Sequence, residues 1–242
     1  MPLSPIDFSR RTQPEDLPER MDQPCSRDEL RACLRDMVRI NRLLLGYRPT
    51  FHWLRSLGLE HLGRPVRILD VGCGDGDLLR RIEQWANARG IAVELTGLEV
   101  NPNCLAIARE TTNGSAPVQW VEGDVFSFSS ADPPDLIMSS LVAHHLSDSE
   151  LVRFLRWMEQ NAAVGWFLND LSRAPVPYHL LGWFARALRL HPYVQHDGPV
   201  SIARAFQPDD WRNLCARAGL SESDVAIRAF QPARLCVSRR KS

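Results

Sequence analysis

Apolar residues recur at helical spacing in DELRACLRDMVRINRLL, where Leu30, Leu34, Met37, Ile40 and Leu44 fall on one face. Ser26, three residues ahead of Glu29, supplies a capping box, so a helix is predicted to start there. A second is predicted over RPTFHWLRSLGLEHL. From residue 66 the pattern changes to apolar runs of strand length: VRILDV (66–71), VELTGLEV (93–100), VQWVEGDV (118–125), DLIMSSLV (135–142) and AVGWFLNDL (163–171). Amphipathic stretches separate them. GDLLRRIEQWANA follows the first run, NCLAIARETT follows the Asn101-Pro102 cap, and LVRFLRWMEQN follows a capping box from Ser147 to Glu150. VAIRAF (225–230) and ARLCVS (233–238), joined through Gln231-Pro232, read as a closing hairpin. Five β-α units and two adjacent strands predict an α/β fold: a mostly parallel sheet with helices on both faces and an antiparallel edge.

Two segments stand outside this alternation. Residues 1–24 hold Pro2, Pro5, Pro14, Pro18 and Pro24 among charged residues, so they are expected to bury little and to be flexible. Residues 25–64 form the two-helix unit expected as a lid, and 65–242 the main domain. Within it, residues 171–206 are an insertion on the carboxyl side of the strands. They comprise an apolar helical run, YHLLGWFARALRL, and HPYVQHDGPVSIARAF, read as a loop turning through Gly198-Pro199.

The chain has 242 residues, with 29 Lys plus Arg against 29 Asp plus Glu. A balanced charge gives no footprint for nucleic acid. The six cysteines show no C-x-x-C pair and no zinc spacing, so they read as small core hydrophobes in a reducing compartment. No apolar run approaches the ~18 residues of a membrane span, and the N-terminus lacks a signal-peptide pattern. The expected setting is the cytoplasm, without integral membrane association.

Candidate chemistry concentrates in LDVGCGDGD, directly after the first strand. A dinucleotide fingerprint needs a third glycine where Asp77 stands, and a phosphate loop needs a lysine that is missing. What remains is Asp70 followed by Gly72, Gly74 and Gly76. Asp70 would set a carboxylate at the strand end, which suits a ligand carrying positive charge.

The segment ILDVGCGDG resembles the first motif of class I S-adenosylmethionine-dependent methyltransferases. The resemblance continues in register over roughly residues 65–170. Glu99 ends the second strand where the family's acid accepts hydrogen bonds from both ribose hydroxyls. Asp124, in EGDVF, matches the residue beside the adenine, with Val125 its apolar neighbour, and DLIMSSLVAHHLSD resembles the fourth motif. The resemblance implies a Rossmann-like seven-stranded sheet with a C-terminal antiparallel hairpin. It also implies a site for S-adenosylmethionine at Asp70, Gly72, Cys73, Gly74, Gly76, Glu99, Val100, Asp124, Val125 and Ser139, with S-adenosylhomocysteine as product.

His144 and His145, ending the fourth strand, are the candidates for a base. No metal is expected, because adjacent residues point apart and no third ligand is evident. Asp170, Arg173, Tyr178, His196 and Arg204 are the candidate acceptor-binding residues, joined by Asp197 in the same loop, with a structural ion pair or helix cap as the alternative for Asp170 and Arg173. Tyr47 and Arg48 are candidates for cofactor contact. The resemblance, extended by ERMD, INRLLLGYRP, NDLSR and HDGPVSIARAF, points to bacterial methyltransferases of phenolic lipid, polyketide or quinone-type metabolites. The expected reaction is therefore O-methylation of a small, apolar or aromatic metabolite. C-methylation, a protein or RNA methyltransferase and a non-catalytic cofactor-binding module are the alternatives, and a homodimer stays open.

Overall fold

A computed structural model describes residues 6–112, 118–130 and 132–241. Helices α1 (Arg27–Leu43) and α2 (Arg48–Ser56) precede five strands that alternate with α-helices except between β3 and β4: β1 (Val66–Val71), α3 (Asp77–Asn87), β2 (Val93–Glu99), α4 (Pro102–Thr111), β3 (Val118–Glu122), β4 (Leu136–Ser140), α5 (Asp148–Asn161) and β5 (Gly165–Leu171). There follow α6 (Pro175–Ala187), α7 (Pro192–Arg204), α8 (Pro208–Ala218), β6 (Val225–Phe230) and β7 (Arg234–Arg240). The strands form one sheet in the order β3-β2-β1-β4-β5-β7-β6, parallel except that β7 runs antiparallel to both neighbours. The predicted α/β fold and its closing hairpin are present. Strand order reverses between β1 and β4, and crevices at such switch points open at the carboxyl ends of the strands.

Burial explains why the strands are almost continuously apolar. On β1, Ile68 joins a core with Leu136, Phe167 and Trp53, while the next residue, Leu69, joins the opposite core with Ile137, Trp166 and Trp211. A strand covered on both faces has no polar side to present. Trp53 of α2 stacks on Phe167 with ring centroids 5.0 Å apart, which ties α2 to the sheet. Both predicted capping boxes are formed, Ser26 with Glu29 and Ser147 with Glu150. Helix α8 is an element the periodic pattern did not single out.

Two expectations differ from the structure. HPYVQHDGPVSIARAF is not a loop: most of it is α7, with Pro199 inside the helix. Tertiary packing overrides the local turn signal, because Gly198 lies against Leu181 and a Cβ on Gly182 would sit 3.1 Å from the Pro199 ring. The close approach of α6 keeps the segment helical despite the amide that proline lacks. The second difference concerns residues 6–24, which lie against the carboxyl ends of the strands. Arg11 and Glu19 are buried there, and the amides of Arg20 and Met21 donate to the two Asp197 oxygens at 2.9 and 3.0 Å. Polar anchoring, which hydrophobic patterning cannot reveal, holds the segment in place.

The glycine loop is shaped by its backbone. Gly76 has φ +75, and a Cβ there would collide with the Trp120 ring, whereas Gly90 has φ +66 and nothing within 4 Å of its Cβ position. Urea unfolding should therefore show Gly90→Ala costing about 1–2 kcal/mol for handedness alone. Gly76→Ala should cost about 2–5 kcal/mol, since overpacking adds to the strain. Equal losses would mean that Trp120 does not confine the loop.

Candidate active site

Two cavities open at the carboxyl ends of the strands. The first, of about 580 Å³, is lined by the glycine loop, the ends of β1 and β2, residues 123–126, and Leu30, Leu34, Met37 and Val38 of α1. Of the residues expected to hold a cofactor, Asp70, Gly72, Cys73, Gly74, Glu99, Val100, Asp124 and Val125 line it. Helix α1 covers this cavity by packing Leu30 and Leu34 on Cys104 and Ile107 of α4. Helix α2 packs on the core instead and takes no part in the lid. Tyr47 lines the cavity beneath the Arg81 guanidinium, 4.6 Å from its ring, while Arg48 is exposed in the first turn of α2.

Two of the expected cofactor residues have other work. Gly76 starts α3 in the left-handed conformation, and the Ser139 hydroxyl donates to the Val71 carbonyl at 2.8 Å, joining β4 to β1. Ser140, one residue on, lines the cavity instead. Glu99 accepts from the Gly74 and Asn101 amides at 3.1 and 3.0 Å, which fixes its carboxylate between the loop and the start of α4. Asp124 accepts from the Phe126 amide at 3.0 Å. Asp70 differs from both: it is buried, and its Oδ1 has no hydrogen-bond partner among the described residues. Burial, with the nearby Glu99 charge adding to it, pushes the Asp70 carboxyl up to about 8. A buried acceptor without a partner, at the wall of a cavity, fits a ligand that brings a donor or a positive charge.

The second cavity, about 500 Å³, lies between α1, α6, α7 and the β6–β7 turn. Its wall is mostly apolar, with Ile40, Leu44, Val176, Leu180, Phe184 and Ile202 prominent. His145, Met21, Met37, Asn41 and Leu141 line both cavities, so the two meet there. Leu141 holds φ +60, a left-handed conformation that costs a branched residue about 1–2 kcal/mol, with its amide donating to Asn169 at 3.0 Å.

His144 and His145 occupy a tight turn at the end of β4, with ring centroids 4.3 Å apart. His144 is buried, and its Nδ1 donates to Asp170 Oδ1 at 2.8 Å. His145 is a third exposed, and its Nδ1 donates to Asp22 Oδ1 at 3.2 Å. Burial opposes ionisation of Asp170, but the His144 imidazole and the Leu171 amide outweigh it and hold the carboxyl below the usual range. The expectation that the adjacent histidines point apart, with no third ligand at hand, differs from this geometry. The turn brings the rings to one side, and Glu19 faces both Nε2 atoms at 3.6 and 3.7 Å.

Of the six residues expected to bind an acceptor, Asp197 alone lines the second cavity. Asp170 stands behind His144. Arg173 is a buried tie, donating to the Phe8 and Ala205 carbonyls and to Asp210 Oδ2 at 3.1, 2.7 and 2.7 Å. Tyr178 packs on Phe8, with centroids 5.4 Å apart. His196 contacts Asp197 at 2.7 Å, and Arg204 donates to the His144 carbonyl at 3.0 Å. The lining residues from the same stretch are Asp197, Gly198, Ser201 and Ile202. Glu19 and Met21 were missed altogether; the ERMD segment was their only trace.

A family described as a methyltransferase domain matches residues 68–164, which contain the glycine loop and both histidines. Trans-aconitate 2-methyltransferase of Streptomyces avermitilis is 38% identical over 80 residues, 31% of this chain and 28% of that protein. An uncharacterized methyltransferase of Mycobacterium bovis is 30% identical over 143 residues, 55% of this chain and 67% of that protein. Magnesium protoporphyrin IX methyltransferase from Synechocystis PCC 6803, solved with bound S-adenosylhomocysteine, shares the fold. Its TM-score is 0.55 at 14% identity, over 82% of this chain and 84% of that one. The chain spans from 28% to 57% of the length of the trans-aconitate methyltransferases it matches. With the motif order, the sheet topology and these likenesses together, the chain belongs to the S-adenosylmethionine-dependent methyltransferase family.

Proposed function

We propose that this protein transfers a methyl group from S-adenosylmethionine to an oxygen of a small, largely apolar molecule. The observation that carries the reading is the meeting of two cavities of different chemistry at His145 and Leu141. The glycine-loop cavity suits the donor and the apolar one the acceptor.

Bound S-adenosylmethionine supplies an electrophilic methyl group on a sulfonium and leaves as a neutral thioether. The chain's own residues then have three tasks. Asp70 offers a buried carboxylate to positive charge, and Glu99 and Asp124 stand ready for the ribose and adenine side that the family implies. The apolar wall excludes water from the junction, so the acceptor is aligned in a poorly solvated space. His145, which lines both cavities and is held through Nδ1 by Asp22, keeps Nε2 beyond hydrogen-bond reach of Glu19 at 3.7 Å, and through this nitrogen a neutral imidazole accepts the acceptor's hydroxyl proton.

The acceptor cavity argues for an apolar molecule over a polycarboxylate such as the one named for the trans-aconitate methyltransferases. Among the described residues Arg234 is the one guanidinium in its lining, to which Glu19 and Asp197 add carboxylates. A second carboxylate on the ligand would find no cation.

Labelled methyl transfer to a panel of phenols, hydroxyquinones and trans-aconitate, with the product read by the carbon shift of its new methyl, tests this. An O-methyl product from an apolar phenol is expected. Turnover of trans-aconitate alone, or a methyl on carbon, would sink the oxygen and apolar-acceptor reading.

Asp70 gives a second test with a defined sign. Its folded carboxyl near 8 lies above the unfolded value of about 4, so without a cationic partner it is neutral at pH 7. A cationic ligand favours the ionised form, so calorimetric affinity for S-adenosylmethionine should rise with pH, approaching about tenfold per unit at its steepest below pH 8. It should level off above, and Asp70→Asn should weaken binding and flatten the profile. Stability moves the other way: the raised value favours the fold below pH ~4 and that contribution is lost as pH rises through ~8. The ligand-free Asp70→Asn chain should therefore melt higher than the parent at pH 9. A parallel profile in the variant would refute the assignment.

A further inference from the structure

We propose that Glu19, His144 and His145 form a site for one divalent transition-metal ion, with zinc the best match, on the wall of the apolar cavity where the acceptor's oxygen is held. The inference rests on the reading of that cavity as the acceptor site. Two imidazoles and one carboxylate are a donor set that suits zinc and leaves coordination positions open.

Geometry is the first support. One potential ligand atom from each residue lies within 4.8 Å of the others. The Nε2 atoms of His144 and His145 stand 3.6 and 3.7 Å from the two Glu19 oxygens, beyond hydrogen-bond reach. A tetrahedral ion holding nitrogen and oxygen at about 2.1 Å sets neighbouring donors about 3.4 Å apart. Glu19 Oε1, the oxygen nearest His144, also accepts from Ser201 at 2.8 Å and has Arg204 at 3.4 Å, so Oε2, 3.7 Å from His145 Nε2, is the freer oxygen for the ion.

Support around the ligands is the second. Each imidazole spends Nδ1 on a carboxylate, His144 on Asp170 and His145 on Asp22. That arrangement fixes the tautomer that leaves Nε2 with its lone pair and directs it inward, as outer carboxylates do for metal-bound histidines.

Charge is the third. Glu19, Asp22, Asp170 and Asp197 surround the imidazoles, while Arg204 and Arg234 are the guanidiniums that offset them. Arg11, also close, is matched by Asp148 at 2.7 Å. Carboxylates thus outnumber guanidiniums around the two imidazoles, which favours a cation among them. Two protons, one on each imidazole, are the competing way to balance the excess.

With His145 Nε2 spent on the ion, it no longer serves as the base, and an acceptor hydroxyl on the ion loses its proton to water more readily than in solution. The oxygen's lone pair then forms the bond to the methyl carbon, the carbon–sulfur bond breaks, and its electron pair stays on sulfur.

The test uses the full chain, cleared of metal with a chelator and titrated with Co²⁺ and Zn²⁺ by visible absorption and calorimetry. Saturable binding of one equivalent is expected, with cobalt bands reporting nitrogen ligation. Glu19→Gln and His145→Asn should abolish it, and Asp22→Asn should weaken it about 10–100-fold. A circular dichroism melt of each variant confirms folding without any ligand, and His145→Asn, at the partly exposed position, serves if Glu19→Gln unfolds. No saturable binding, or unchanged binding in both ligand variants, would overturn the metal site and point to the two protons. Metal-free protein that methylates at full rate would overturn the site yet leave the proposed function standing. Metal binding with no transfer to any oxygen acceptor would count against the proposed function alone.

Discussion

Asp170 is the group on which the site's geometry hangs. Its carboxylate, buried at the end of β5, accepts the His144 Nδ1 proton, the His144 amide and the Leu171 amide at 2.8, 3.2 and 2.7 Å. This fixes the turn after β4 to the neighbouring strand. The same turn offers its His144 carbonyl to Arg204 of α7 and, more distantly, to Arg11. One carboxylate thus aligns two strands, an inserted helix and the N-terminal segment. Leaving so deeply buried a carboxylate without its partners costs about 3–5 kcal/mol, a large share of a domain's net stability of about 5–15 kcal/mol.

Electrostatics divides the two cavities more sharply than shape does. Around Asp70 the chain leaves a carboxyl oxygen unsatisfied, a penalty for the empty fold that a positively charged ligand relieves. Around Asp170 the chain supplies three donors and keeps the carboxylate ionised. The contrast separates a group waiting for a ligand from a group that builds the scaffold, although both are buried aspartates at the carboxyl ends of strands. The strained backbone of Leu141 lies between them, at the place where the two cavities meet.

The sheet and the wall of the glycine-loop cavity are legible because their information is local. Apolar runs, capping boxes and the spacing from Asp70 to Glu99 encode strands and turns directly. Ser139 shows the limit: side chains alternate along β4, and a shift of one residue separates the hydroxyl that bonds Val71 from Ser140 in the cavity wall. For the apolar cavity the sequence points to the right stretch and to Asp197, which lines it, while the other residues named from that stretch do not. Reading 191–206 as a loop removed the helical phase that sets Asp197, Ser201 and Ile202 toward the cavity and His196 away from it. Glu19 and Asp22 were out of reach for a different reason. Their segment is held by amides and guanidiniums from distant parts of the chain, and no periodicity records such bonds.

The anchoring of that segment bears on the order in which the molecule comes together during synthesis. Arg11 bonds the carbonyl of Ala143, 132 positions later, and that of Arg204, 193 positions later. Residues 8–22 therefore leave the ribosome long before anything they hold exists. The α/β sheet can begin to form while they hang unpaired, but the wall they contribute to both cavities waits for α7. A partly made chain has a glycine loop but lacks the wall where the cavities join, so the two meet only once nearly the whole fold is in place.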